Sequence, residues 1–139
     1  MPTPDELRAR VEATELYRVL GVTLDDLGAQ RARASVEVAE RHCNLDGVLQ
    51  GGVSALVADL ALGCAARTGQ RAGSENKTLE LEVDFHAPVH RGECLIADAI
   101  VVAQTGRLTW VEAELQREFQ GEITVVGRAR SLNAESTPP

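Results

Sequence analysis

The chain changes hydrophobic period three times. Near the start, Thr3 stands before Pro4, and Glu6 follows three residues after it. That spacing is a capping box with proline at the first helical position, which satisfies free amides of a first helical turn. Leu7, Val11, Leu16, Tyr17 and Leu20 continue a rough apolar stripe to Gly21, so one helix is expected over residues 4–20. The period then falls to two. Residues 22–27 and 31–40 read as strands on either side of Gly28, with Ala32, Ala34, Val36 and Val38 alternating against Arg33, Ser35 and Glu37. Residues 42–52 carry Asn, Asp and three glycines and read as a loop, and residues 51–67 return to a helix. After a polar turn over 68–76, four strands are expected at 78–85, 93–103, 108–119 and 122–130. In the first of these, Leu79, Leu81, Val83 and Phe85 share one side, and Glu80, Glu82 and Asp84 the other. Thr105-Gly106 and Gln120-Gly121 stand where two-residue hairpin turns belong, so the last three strands form an antiparallel meander.

The second helix is apolar on nearly every face, and such a helix must be covered on most sides. A strongly curved antiparallel sheet wrapped around this one central helix, with a second subunit closing the remainder, meets that need. The expected class is α+β, with the hotdog architecture. The apolar run over 48–66 approaches the length of a membrane span but contains Gln50, Ser54 and Asp59. A carboxylate at the centre of a span costs about 2.5–3.5 kcal/mol on insertion scales, so a buried core helix is expected and no membrane partner. No linker or repeat divides the chain. The expected organisation is an N-terminal helix over 1–20, one hotdog domain over 21–132 and a frayed tail over 133–139.

Charge narrows the partners. A formal net charge of −7 argues against a nucleic-acid or anionic-membrane surface, either of which attracts a basic patch. The three cysteines, Cys43, Cys64 and Cys94, are an odd number without metal-ligand spacing. A reducing cytoplasm is therefore expected, and neither a disulfide framework nor a structural metal.

Asp59 is the only charged side chain between Asp46 and Arg67. At about 100° per residue it lies roughly 130° from the centre of the arc formed by Val53, Leu56, Val57, Leu60, Ala61 and Cys64. Its flanking Ala55, Ala58 and Leu62 are apolar as well. A lone carboxylate there is expected to have a raised pKa, which suits a general base or a nucleophile; the plain alternative is an Asp bonded to neighbouring backbone. Gly51-Gly52 opens the same helix, where free N–H groups favour negative charge and a thioester oxygen could be held. A tight turn explains a glycine pair equally well. Asn44 adds an amide donor on the preceding loop. His42, His86 and His90 lack metal-ligand spacing, and Cys43 and Cys64 read as small core residues.

The run His42-Cys43-Asn44-Leu45-Asp46-Gly47-Val48-Leu49-Gln50-Gly51-Gly52, with Asp59 seven residues on, resembles the signature of the hotdog acyl-CoA thioesterases. It is nearest the phenylacetic-acid-degradation branch, which is related to the 4-hydroxybenzoyl-CoA thioesterases. The likeness extends through Val83-Asp84-Phe85-His86-Ala87-Pro88, Gly92 and Gly106-Arg107, over residues 20–131. It implies that Asp59 is the catalytic carboxylate and that Asn44 contacts the thioester or its water from the opposite subunit. It also implies that the N–H of Gly51 polarises the carbonyl, within a loop that includes Gln50 and Gly52. Two positions depart from the pattern: Gln50 stands where His is usual, and Gly63 where Ser or Thr often follows the acid. The implied reaction is hydrolysis of an aryl-acetyl or medium-chain acyl-CoA to free acid and coenzyme A. It needs no metal or redox cofactor, and a homodimer or dimer of dimers carries it out. Coenzyme A has phosphates, and Lys77, Arg91 and Arg107 are the candidate clamps. The alternatives are a non-catalytic acyl-CoA binder and a hotdog hydratase or dehydratase.

Overall fold

The structure, a computed structural model, describes residues 2–71 and 73–136. The N-terminal helix forms as two pieces, α1 (Pro4–Ala13) and α2 (Glu15–Leu20), where one was expected. The Thr3 hydroxyl accepts the Glu6 N–H at 3.1 Å and the Glu6 carboxylate accepts the Thr3 N–H at 2.8 Å, completing the capping box. Thr14 breaks the helix. It is extended, its hydroxyl donates to the Arg10 carbonyl at 2.7 Å, and its N–H caps Val11. The stripe is cut with it: Leu7 and Val11 are buried, while Leu16 is exposed. Gly21 then closes α2 in the left-handed conformation, with φ 70°.

Six strands follow: β1 (Val22–Gly28), β2 (Arg31–Glu37), β3 (Asn76–Phe85), β4 (Cys94–Thr105), β5 (Leu108–Phe119) and β6 (Glu122–Glu135). They form one antiparallel sheet in the order β1-β2-β4-β5-β6-β3, with the meander β4-β5-β6 as expected. The turn between β4 and β5 is Gly106-Arg107, one residue later than the pattern suggested, and Gln120-Gly121 turns between β5 and β6. The central helix α3 (Gly51–Arg67) has the expected bounds and touches all six strands. Val57, Ala58, Leu60, Ala61, Leu62, Cys64, Ala65 and Ala66 are all buried along it. This is the hotdog architecture. No helix among the described residues is long and apolar enough to cross a membrane.

Three differences from the sequence reading bear on the site. Residues 38–40 do not extend β2; the chain leaves the sheet and makes a 3-10 turn at Glu40–His42. Asn133 to Glu135 do not fray but complete β6, and Asn133 is fully buried; residues 137–139 of the expected tail lie outside the described residues. Finally, β3 is an edge strand whose inward apolar side is largely bare: Leu79, Leu81 and Phe85 are exposed. A register shift between Thr78 and Glu80 places an extra residue in β3 there. It turns Thr78 onto the side facing α3, opposite Asn133.

Candidate active site

The loop before α3 is held chiefly by backbone. The Gln50 N–H donates to the His42 carbonyl at 2.8 Å, and the Asn44 N–H donates to the Val48 carbonyl at 2.8 Å. His42 is buried and closes the 3-10 turn. Its Nδ1 accepts the Ala39 N–H at 2.9 Å and its Nε2 donates to the Leu20 carbonyl at 2.7 Å. It ties the end of α2 to the loop, a structural role.

Asn44 is oriented by its own turn. Its Oδ1 accepts the N–H groups of Asp46 at 2.9 Å and Val48 at 3.3 Å. With the oxygen committed, Nδ2 has no partner among the described residues, so Asn44 presents only a donor. Gln50 is extended at the N-cap, exposed, and its side chain makes no cap bond. Its carbonyl accepts from Val53 at 2.9 Å and Ser54 at 3.3 Å, the first donors of α3. The N–H groups of Gly51 and Gly52 precede those bonds, as the first amides of any helix do. Gly51 borders a cleft of about 390 Å³ walled by Leu49, Phe85, Leu95, Leu115 and Val126. A Cβ on Gly51 would lie 3.3 Å from the Phe85 ring, so glycine leaves the mouth of the cleft open.

Asp59 sits on the same helix at the other end of the site. It is half-buried, and its Oδ1 accepts the Thr78 hydroxyl at 2.9 Å. Thr78 lies 3.2 Å from Asn133 Oδ1, which also accepts from Asn76 Nδ2 at 3.1 Å. Asn76 in turn accepts from the buried Gln70 at 2.7 Å, and Asn133 donates to Ser131 at 2.6 Å. A chain of satisfied polar groups thus runs from the core to the carboxylate. Sequence reasoning missed Thr78 and Asn133. It also missed Tyr17, whose phenol is pushed up by burial, then by Cys64 and Asp59 nearby. Burial likewise raises the Cys64 thiol, which stays protonated in the core.

The candidate phosphate clamps are divided. Lys77 neighbours Thr78 on β3, exposed and in no ion pair among the described residues, and shares a lateral row with the β4–β5 turn that carries Arg107. Arg91 lies toward the other end of the site, in the loop whose His90 pairs with Val48, and stands 3.9 Å from Glu40. A larger concavity of about 470 Å³ lies on the opposite face of the sheet, among Arg31, Asp98, Glu112, Glu114 and Arg128. None of the candidate residues lines it.

Residues 46–124, more than half of the chain, match the thioesterase superfamily. Human acyl-coenzyme A thioesterase 13 is 27% identical over 127 residues, covering 88% of this chain and 87% of that protein. A thioesterase family protein from Silicibacter pomeroyi superposes with a TM-score of 0.87 at 22% identity, over 93% of this chain and 94% of that one. The E. coli PaaI protein from the phenylacetic acid degradation operon superposes at 0.82 with 21% identity, over 94% and 90%. With the curved sheet, the central helix and the matched span in agreement, this chain belongs to the thioesterase superfamily and is a thioester hydrolase of hotdog fold.

Proposed function

We propose that the chain hydrolyses acyl-CoA thioesters at paired sites built across a two-fold dimer. The observation that carries this reading is the placement of Gly51 and Asp59 on one helix. Eight residues at 1.5 Å each separate them by about 12 Å, too far for both to act on one thioester. Two α3 helices related by a two-fold bring the Asp59 of one chain to the Gly51 and Asn44 of the other, and so make two identical sites. The bare apolar side of β3, an edge strand that pairs with β6 on one side only, supplies a surface for that contact. Dimers could pair further into a dimer of dimers.

In this reading the thioester oxygen receives the Gly51 N–H and Asn44 Nδ2, both donors, where negative charge develops. Asp59, steadied through Oδ1 by Thr78, keeps Oδ2 for the proton of an attacking water. The reaction draws on water and these groups, with no metal or redox cofactor. An apolar cleft of about 390 Å³ beside Gly51 supports an aryl-acetyl or medium-chain acyl group. Three free cysteines suit a reducing cytoplasm.

Thiol release from a panel of acyl-CoA thioesters tests the reading. The wild type is expected to turn over and Asp59→Asn to lose about a hundredfold or more, the usual scale for a positioned acid–base group. Binding without turnover would favour an acyl-CoA binder instead. Single-turnover hydrolysis in ¹⁸O-water separates the two roles of Asp59. Label goes directly into the acid if it is a base, and into its own carboxylate first if it is a nucleophile.

A further inference from the structure

Ser54 is a second polar feature of the cleft beside Gly51, and the proposed chemistry leaves it unused. The residue lines the cleft and is 5% exposed. A serine inside a helix commonly returns its hydroxyl to the carbonyl four residues earlier. Here that carbonyl, on Gln50, already accepts the N–H groups of Val53 and Ser54, and the hydroxyl has no partner among the described residues. Every fully enclosed polar side-chain atom among them is hydrogen-bonded. The Ser54 hydroxyl therefore keeps an opening, and the cleft is what it faces. The surrounding wall is apolar: Leu49, Phe85, Leu95, Leu115 and Val126. His86, the other polar side chain on the lining, is exposed at the rim and has water available.

The position of Ser54 says what would meet it. Residues three apart share a helix face, so Ser54 lies directly beyond Gly51, about 4.5 Å further along the axis. An acyl group whose carbonyl oxygen sits on the Gly51 N–H therefore passes the Ser54 hydroxyl within its first few carbons. An oxygen on the third carbon falls in reach. A hydroxyl at the far side of an aryl ring overshoots it.

We infer that Ser54 is a specificity-determining residue whose hydroxyl bonds an oxygen on the third carbon of the acyl group, making 3-hydroxyacyl- or 3-oxoacyl-CoA thioesters the preferred substrate class. This rests on the acyl-CoA reading above and narrows it. A site built to bond a substrate oxygen discriminates against the analogue that lacks it, because its own polar group is then left unpaired.

The test compares kcat/KM for octanoyl-CoA, 3-hydroxyoctanoyl-CoA and 4-hydroxyphenylacetyl-CoA in the wild type, Ser54→Ala and Ser54→Cys, with thermal midpoints to confirm folding. The wild type is expected to favour 3-hydroxyoctanoyl- over octanoyl-CoA by about tenfold, the scale of one neutral hydrogen bond whose serine partner keeps an opening. Ser54→Ala should bring that ratio close to one. Ser54→Cys, similar in volume but a weak donor, should do the same and covers the case in which the alanine variant does not fold. Turnover with no such preference, or a preference that survives both substitutions, overturns this inference and leaves the acyl-CoA reading standing. A Ser54-dependent preference for the hydroxyaryl substrate alone overturns the third-carbon assignment. Absence of turnover on all three thioesters removes both readings.

Discussion

Thr78→Val removes one hydroxyl from the candidate site and keeps the β-branched shape that suits an extended strand. What it deletes is the 2.9 Å hydrogen bond to Asp59 Oδ1. A bond to a charged group contributes about 1.5–3 kcal/mol. If it holds the carboxylate in the geometry needed to take a proton from water, losing it lowers kcat/KM by about 10- to 150-fold, at 1.36 kcal/mol per tenfold. The fold should tolerate the change. Thr78 also lies 3.2 Å from Asn133 Oδ1, but that oxygen keeps Asn76 Nδ2 at 3.1 Å, so no buried acceptor is orphaned. Thr78 is exposed and Asp59 only half-buried, so water replaces the lost donor in the folded chain, and the expected stability change is about 1 kcal/mol or less. Thr78→Ser restores the hydroxyl and should recover most of the activity. The assay is thiol release over acyl-CoA concentrations that span KM, so that kcat/KM is read directly, run beside thermal unfolding of each variant. A valine variant that is folded and within twofold of wild type would show that Asp59 needs no such support, and the assignment of Thr78 to the site would be wrong.

Three further outcomes follow from the same geometry. Mixing Asp59→Asn with Asn44→Ala, each nearly inactive alone, should recover about a quarter of wild-type activity, since half of randomly assorted dimers hold one intact site; no recovery on subunit exchange would place Asp59 and Asn44 in the same chain's site. Replacing Lys77, Arg91 or Arg107 by Ala should raise KM for acyl-CoA more than it lowers kcat, and equal KM for coenzyme A and N-acetylcysteamine thioesters in the wild type would rule out a phosphate clamp. Stability should fall at alkaline pH. The Cys64 and Tyr17 values are raised by burial above the ordinary 9.0 and 10.0. The unfolded chain therefore releases those protons first, and stability that is whole below about pH 9 declines as pH climbs toward the folded values. Urea unfolding at pH 7.5 and 10 checks the slope, which Cys64→Ala should flatten.

Where a local rule acted alone, the sequence and the structure agree closely. Thr3, Pro4 and Glu6 make the capping box that their spacing announces, and α3 runs over the residues that its apolar density marked. Where two elements had to meet, the pattern misled. Strict alternation puts Thr78 with Glu80 and Glu82 on the outer side of β3. The extra residue between Thr78 and Glu80 reverses that parity, and nothing in the local run of charges signals it. Asn133 looked like the start of a polar tail because a satisfied buried amide has the same hydropathy as a solvated one. Only its partners Thr78, Asn76 and Ser131 distinguish it, and the first two lie over fifty residues away. Leu16 failed for a related reason: a helical stripe holds only while the helix does, and Thr14 ends it.

The two departures from the family pattern have different physical weight. Gly63 lacks the hydroxyl often found one turn after the acid, yet Asp59 does not go without one, since Thr78 reaches it from β3. A Cβ at position 63 would lie 3.6 Å from both Arg67 Nη1 and Asn76 Nδ2. That is ordinary contact for a methyl group, but a larger side chain would press on the amide that holds Asn133. Glycine there clears space for the network that positions Thr78, so the lost hydroxyl and the gained one belong to a single arrangement. Gln50 has no such substitute. Its side chain makes no cap bond and no other hydrogen bond among the described residues, while its backbone fixes the loop through His42 and opens α3 through Val53 and Ser54. The loop therefore does not need a histidine to hold its shape, and whatever residue 50 contributes to the reaction must come from its exposed amide meeting the substrate.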